Sequence, residues 1–190
     1  MRNAICVVAV VMAVMFCGIY LMTEDSEDVS ALTDGDWTFT VSDGKATLTK
    51  FNGTGVSSLV IPSVVSDGTT TYPVKEIGSG NIEDYLITNS QILSGCTLQI
   101  PNGIEKINGY AFVECTNLTG RLIIPATVTE IGNLAFNRCS GFTGDLAISS
   151  SVTRVGNQAF EYCTGFNGSL SVNSAEIGFD AFYNCTGFTG

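Results

Sequence analysis

The sequence predicts a solenoid of mixed α/β type, in which short strands alternate with short helical or 3₁₀ turns. A β-rich segment leads into it and one hydrophobic helix precedes both. Three observations carry this reading: apolar columns that recur every 24 residues in the C-terminal half, two different side-chain periodicities within each period, and a run of 19 uncharged residues near the N-terminus. Fixed-period self-similarity is the mark of units that bury their apolar faces only by stacking on neighbours.

The chain has 190 residues, with 8 Lys+Arg against 18 Asp+Glu, no His and 7 Cys. Without His there is no Ser-His-Asp or Cys-His catalysis and no imidazole metal site. A net charge of -10 argues against nucleic acid as a partner, because phosphate neutralisation needs a surplus of Lys and Arg. No CxxC occurs and no base is placed beside a Ser or Thr, so no catalytic residue, metal or cofactor is expected.

Residues 1–22 read as a signal anchor or a signal peptide. Ala4 to Met22 is free of charge, and as a helix would be about 28 Å long, close to the thickness of a bilayer's hydrocarbon core. Arg2 before it and Glu24, Asp25, Glu27 and Asp28 after it favour an inside N-terminus and an exported remainder, held at the membrane through residues 4–22 if the segment is not cleaved. Residues 23–36 form an acidic spacer. Residues 37–97 are the β-rich leading segment with a degenerate first repeat: WTFTVSDGKATLTKF alternates about a Ser-Asp-Gly turn as in a hairpin, and a second Ser-Asp-Gly divides the apolar runs of Val56 to Gly78. Gly78 to Gly95 breaks the rhythm of the repeats, either as that degenerate unit or as an inserted contact loop.

Four units then align, at 98–121, 122–145, 146–169 and 170–190. Phe112, Phe136, Phe160 and Phe182 are spaced by 24, 24 and 22, and so are Cys115, Cys139, Cys163 and Cys185. Within one unit Leu122 and Ile124 follow the period of a strand, whereas Ile131, Ala135, Cys139 and Phe142 follow that of a helix face about two turns long. The cysteines, with Cys96, are expected as buried thiols: stacked coils hold equivalent side chains about 4.8 Å apart, whereas a disulfide wants Cβ atoms about 3.8 Å apart. The last unit ends on the turn that elsewhere leads into a strand. That is expected of a piece of a longer repeat array, or of an end that pairs with another chain.

The pattern L-x-I-P-x-x-V-x-x-I-G-x-x-A-F-x-x-C-x-x-F/L-T-G resembles the BspA-like, or Treponema pallidum-type, leucine-rich repeat. It departs from that pattern at Val155, at Asn108, and at Ser149 and Asn173 where proline is expected. The resemblance implies a surface-exposed or secreted protein without enzyme activity, whose repeats serve adhesion and protein binding. A carbohydrate-binding or structural envelope module is the alternative, with Tyr110, Tyr162 and Tyr183 as candidate sugar platforms.

The residues before the Ile-Gly step read Glu76, Lys106, Glu130, Arg154 and Glu176, alternating in sign. Stacked in register they would form a charge ladder, and with Glu105, Thr129 and Thr153 beside them they offer a polar stripe for an extracellular protein ligand. Possible glycosylation positions are Asn52, Asn117, Asn167 and Asn184, each in an Asn-x-Ser/Thr sequence.

Overall fold

The computed structural model describes residues 30–173 and 176–189. The export segment and expected hydrophobic helix at 1–22, and the first part of the acidic spacer, lie outside the described residues. No helix among the described residues is long and apolar enough to cross a membrane.

The leading segment begins with β1 (Leu32–Asp34), β2 (Trp37–Ser42) and β3 (Lys45–Phe51), joined antiparallel. The β2–β3 hairpin turns on Asp43 and Gly44 at φ 50° and 70°, the two left-handed positions that Asp-Gly supplies at low steric cost. Trp37, Phe39, Ala46, Leu48 and Phe51 point to the core, and Thr38, Thr40, Thr47 and Thr49 point away from it. Opposite Thr38 and Phe39 stand Lys50 and Leu48, so Thr49 is an extra residue in the ladder and lies on the outer face together with Lys50.

After β4 (Val56–Val60), the strands β5 (Val64–Ser66) and β6 (Thr71–Ile77) form a second hairpin around the other Ser-Asp-Gly. Asp67 closes its loop by accepting from the amides of Thr69 and Thr70, each at 2.8 Å. The Thr69 and Tyr72 hydroxyls donate to it as well, and these bonds hold its carboxyl well below the usual carboxylate range. A 3₁₀ turn at Asn89–Gln91 leads into β7 (Ile92–Gln99).

From there each coil contributes very short strands: β8 (Lys106–Ile107), β9 (Leu118–Thr119), β10 (Glu130–Ile131), β11 (Leu146–Ile148), β12 (Arg154–Val155), β13 (Leu170–Val172) and β14 (Glu176–Ile177). A nine-stranded sheet runs β1-β2-β3-β6-β8-β10-β12-β14, with β5 attached to β6, and is parallel from β3 onward. A second side carries the parallel sets β4-β7-β9 and β11-β13. Leu122 and Ile124 keep the strand alternation, buried on either side of an exposed Ile123, without entering a ladder.

The expected helical turns are absent from the repeats: the one helical element among the described residues is the 3₁₀ turn at Asn89–Gln91. The i, i+4 columns are buried as expected, but the backbone that carries them is a string of tight turns. Every fourth residue is left-handed, with Leu134 at φ 53° and Arg138 at 58°, and Gln158 and Tyr162 at 55° and 58°. That conformation interrupts an α-helix. It also turns alternate amides outward to the next coil, where Leu134, Phe136 and Arg138 donate to the carbonyls of Asn157, Ala159 and Glu161 at 2.9, 2.8 and 2.7 Å. Local bonds of i to i−3 type, Asn137 to Leu134 at 3.2 Å and Cys139 to Phe136 at 3.1 Å, fill the gaps between them.

The core is one continuous stack. Phe112, Phe136, Phe160 and Phe182 lie face to face at centroid separations of 5.1, 5.2 and 5.3 Å, within the range of favourable aromatic pairs. Beside them the thiols of Cys139 and Cys163 donate to the carbonyls of Phe112 and Phe136 at 2.8 and 3.0 Å, and Cys185 donates to that of Phe160 at 2.9 Å. All five cysteines from Cys96 onward are free, and four of them are buried. Burial pushes the Cys115 thiol up to about 12 and raises Cys139 well above its ordinary value. The buried thiols of Cys115 and Cys139 are therefore packing groups, protonated at neutral pH, and not nucleophiles.

Candidate functional site

The outer face of the nine-stranded sheet carries the polar column. Parallel pairing sets Glu76, Lys106, Glu130, Arg154 and Glu176 directly opposite one another; the first four each precede a buried Ile or Val, and Glu176 precedes Ile177, which is exposed on the last coil. Glu130 is held on both sides, by Lys106 at 3.6 Å and Arg154 at 3.1 Å. Glu76 instead accepts from the Asn108 side chain at 3.1 Å. Glu105 lies beside the row and takes Lys75 at 3.0 Å and Lys45 at 3.7 Å. The hydrogen bond from Lys75 holds its carboxyl below the ordinary value. The hydroxyls of Thr129 and Thr153 donate to the carbonyls of Glu105 and Thr129, each at 3.1 Å, so these exposed residues knit successive coils.

The glycine after β10, β12 and β14 follows from how closely the coils approach. A Cβ on Gly156 would lie 2.5 Å from the backbone of both Gly132 and Asn133. With no side chain there, Asn133 Oδ1 accepts from the amide of Asn157 at 2.9 Å, and Asn157 Oδ1 from that of Phe179 at 2.9 Å.

The candidate sugar platforms are not equivalent. Arg138 sits 5.3 Å above the ring of Tyr162, which meets Tyr183 edge-on at 5.8 Å; one face of Tyr162 is therefore capped by a cation already engaged by Glu114 at 3.8 Å. Tyr183 is exposed, and Tyr110 is half-buried at a left-handed position. Of the glycosylation positions, Asn52 is exposed and donates to the Thr38 hydroxyl at 2.9 Å. Asn117 is half-buried, and its amide nitrogen donates to the carbonyls of Asn89 and Ile92 at 3.2 and 3.1 Å. Asn167 accepts from the Gly144 amide at 2.8 Å and is exposed, as is Asn184.

Sequence reasoning missed a cleft of about 800 Å³ between the threonine face of the β2–β3 hairpin and the segment from Ser79 to Thr88. A second cleft of about 420 Å³ adjoins it, and the two share Tyr85 and Thr88. The alternation of WTFTV and ATLTK, threonine at every outward step, was the legible half of this feature.

These coils, with parallel two-residue strands, a close-packed glycine corner and a buried Phe-Cys stack, define a leucine-rich-repeat solenoid. Residues 80–189 match the family described as BspA type Leucine rich repeat region (6 copies), and the chain belongs to that family. Among solved structures, a leucine rich cell surface protein from Faecalibacterium prausnitzii is similar over 84% of this chain and 53% of its own, at 25% identity and a TM-score of 0.59. The chain thus spans about half the length of that protein. The T. pallidum leucine-rich repeat protein is similar over 83% of this chain and 69% of its own, at 23% identity and a TM-score of 0.65, a likeness of fold. A leucine-rich repeat protein from Bacteroides ovatus shares the fold at 21% identity and a TM-score of 0.53, over 83% of this chain and 45% of its own. Among curated proteins none matches this chain.

Proposed function

We propose that this chain is a non-enzymatic scaffold of an exported, cell-surface or secreted kind that binds an extracellular protein through the outer face of its nine-stranded sheet. The observation that carries the reading is the row of opposed charges on that face, centred on Glu130 between Lys106 and Arg154. A flat row of alternating sign offers a partner charge complementarity at many small steps, which favours orientation and encounter rate over contact energy. Glu105, Thr129 and Thr153 widen the row into a stripe. Export is supported by the uncharged run 4–22 and by the description of the Faecalibacterium protein as a cell surface protein.

The test is surface plasmon resonance of the full chain over a panel of extracellular-matrix proteins, comparing wild type with the double variant Lys106→Ala, Arg154→Ala. Binding that weakens about tenfold or more in the variant, and that falls with added salt, is the expected result. Binding that is indifferent to both the variant and the salt would place the partner elsewhere on the molecule.

A further inference from the structure

We propose that the cleft between the β2–β3 hairpin and the Ser79–Thr88 segment is a binding site for a short, neutral saccharide. Its volume of about 800 Å³ is that of a small-molecule site. One wall is the hydroxyl-bearing face of Thr38, Thr40, Thr47 and Thr49; the other brings Glu83, Asp84 and Tyr85 across from it. Threonine on the wet face of a sheet is common for reasons of strand preference alone. Preference does not explain why a chain segment stands opposite that face with the space between them unfilled. Nor does it explain the extra residue at Thr49, which adds a fourth hydroxyl to the wall at the kind of irregularity found beside functional sites.

The lining selects the ligand. Glu83 and Asp84 against Lys50 give the cleft a negative balance, which disfavours an anion. Among the described residues no group of three or more His, Cys, Asp or Glu side chains that could hold a metal ion occurs, so Glu83 and Asp84 have no third carboxylate beside them as a cation ligand. An apolar ligand would bury the threonine hydroxyls and the two carboxylates without partners. A peptide cannot add as a strand, because this wall is a sheet face and both edges of β3 are already paired, to β2 and β6. A sugar meets every feature: threonine hydroxyls donate and accept, two carboxylates accept from neighbouring sugar hydroxyls, and the exposed Tyr85 ring offers a face for the C–H side of a pyranose. The second cleft continues past Tyr85 toward Thr88, Glu114 and Arg138, which gives room for more than one sugar unit.

The site is separate from the charged row, so the two proposals stand or fall independently. The experiment is isothermal titration calorimetry of the full chain with cellotriose, maltotriose and chitotriose, backed by saturation-transfer NMR. The expected result is binding of at least one trisaccharide with a dissociation constant near the millimolar range. It should weaken about tenfold in the double variant Thr40→Val, Thr47→Val, which removes two hydroxyls while keeping shape and strand preference, and by a similar factor in Tyr85→Ala. Unchanged melting temperatures confirm that the variants are folded. Preference for chitotriose points to an amino-sugar source such as cell walls or glycoproteins, and preference for the others to a plain glucan. No binding of any probe at about 10 mM, or binding that folded variants leave within about twofold, overturns the proposal.

Discussion

Reversing the charge of Glu130 should destabilise the stack in a manner that salt erases. Glu130 lies between Lys106 at 3.6 Å and Arg154 at 3.1 Å, with side chains 32%, 44% and 48% exposed. At such exposure the surrounding dielectric is close to that of water, and each attraction is worth about 0.5 kcal/mol once side-chain ordering is counted. Glu130→Lys removes two attractions and introduces two repulsions of similar size, for a loss of about 2 kcal/mol. For a chain of this length that corresponds to a melting temperature about 4 to 8 °C lower. The charges should be felt fully at about 10 mM salt, where the screening length is about 30 Å, and largely lost at about 1 M, where it is about 3 Å. Thermal unfolding followed by circular dichroism at the two salt concentrations is the assay. Adding Lys106→Glu and Arg154→Glu to Glu130→Lys restores the alternation locally and should recover part of the loss. If Glu130→Lys melts with the wild type at low salt, the row is a set of independently solvated side chains and the reasoning is wrong.

Three further outcomes follow from the packing. Gly156→Ala places a Cβ 2.5 Å from the backbone of Gly132 and Asn133, which cannot turn aside as a side chain would; about 3 kcal/mol should be lost, read from denaturant unfolding. Phe136→Ala removes the ring stacked between Phe112 and Phe160 and should cost about 3 to 5 kcal/mol. In a stacked array that loss is local, so amide exchange should quicken first in residues 128–142 and the coils on either side of them, and last in the β2–β3 hairpin. Burial raises Cys115 from its ordinary value of 9.0 to about 12, so the folded state keeps a proton that the unfolded state releases; stability from this group is whole below pH 9 and is lost as pH rises toward 12. The slope of stability against pH in that window should be shallower in Cys115→Ala than in wild type.

What was legible in the sequence was whatever the stacking repeats. Phe136 and Cys139 could be placed in the core because their counterparts recur 24 residues on either side, and that recurrence has no meaning outside a stack. The charged column was legible for the same reason, since parallel pairing in register turns a sequence period into a row of neighbours. The turn segments were misread because spacings of 4 put Ile131, Ala135 and Cys139 on one side of a helix and equally on one side of a string of turns. Glycine usually announces a left-handed residue, but Leu134, Arg138, Gln158 and Tyr162 occupy those positions here, so that signal was missing. The cleft was illegible for a different reason. Threonine alternation shows a wet face, yet only tertiary packing decides that Ser79 to Thr88 crosses in front of it.

The left-handed residues find their compensation in the direction of the hydrogen bonds. At the strand corner, amides of a later coil donate to carbonyls of the earlier one, Gly132 to Ile107 and Gly156 to Ile131, each at 2.7 Å. In the turn segment the direction is opposite, and Phe112 and Phe136 donate forward to Ala135 and Ala159, each at 2.8 Å. Each junction is therefore sewn by donors from both coils, and neither coil satisfies its backbone alone. A helix in the same place would satisfy its amides internally and contribute no bond to the junction. The thiols complete the pattern. The carbonyls of Phe112 and Phe136 point into the apolar stack, where water cannot reach them, and there a cysteine is small enough to fit, apolar enough to be buried and still able to donate. A strained turn, a column of cysteines and a parallel ladder thus serve one requirement: every polar group turned toward a neighbouring coil must find its partner there.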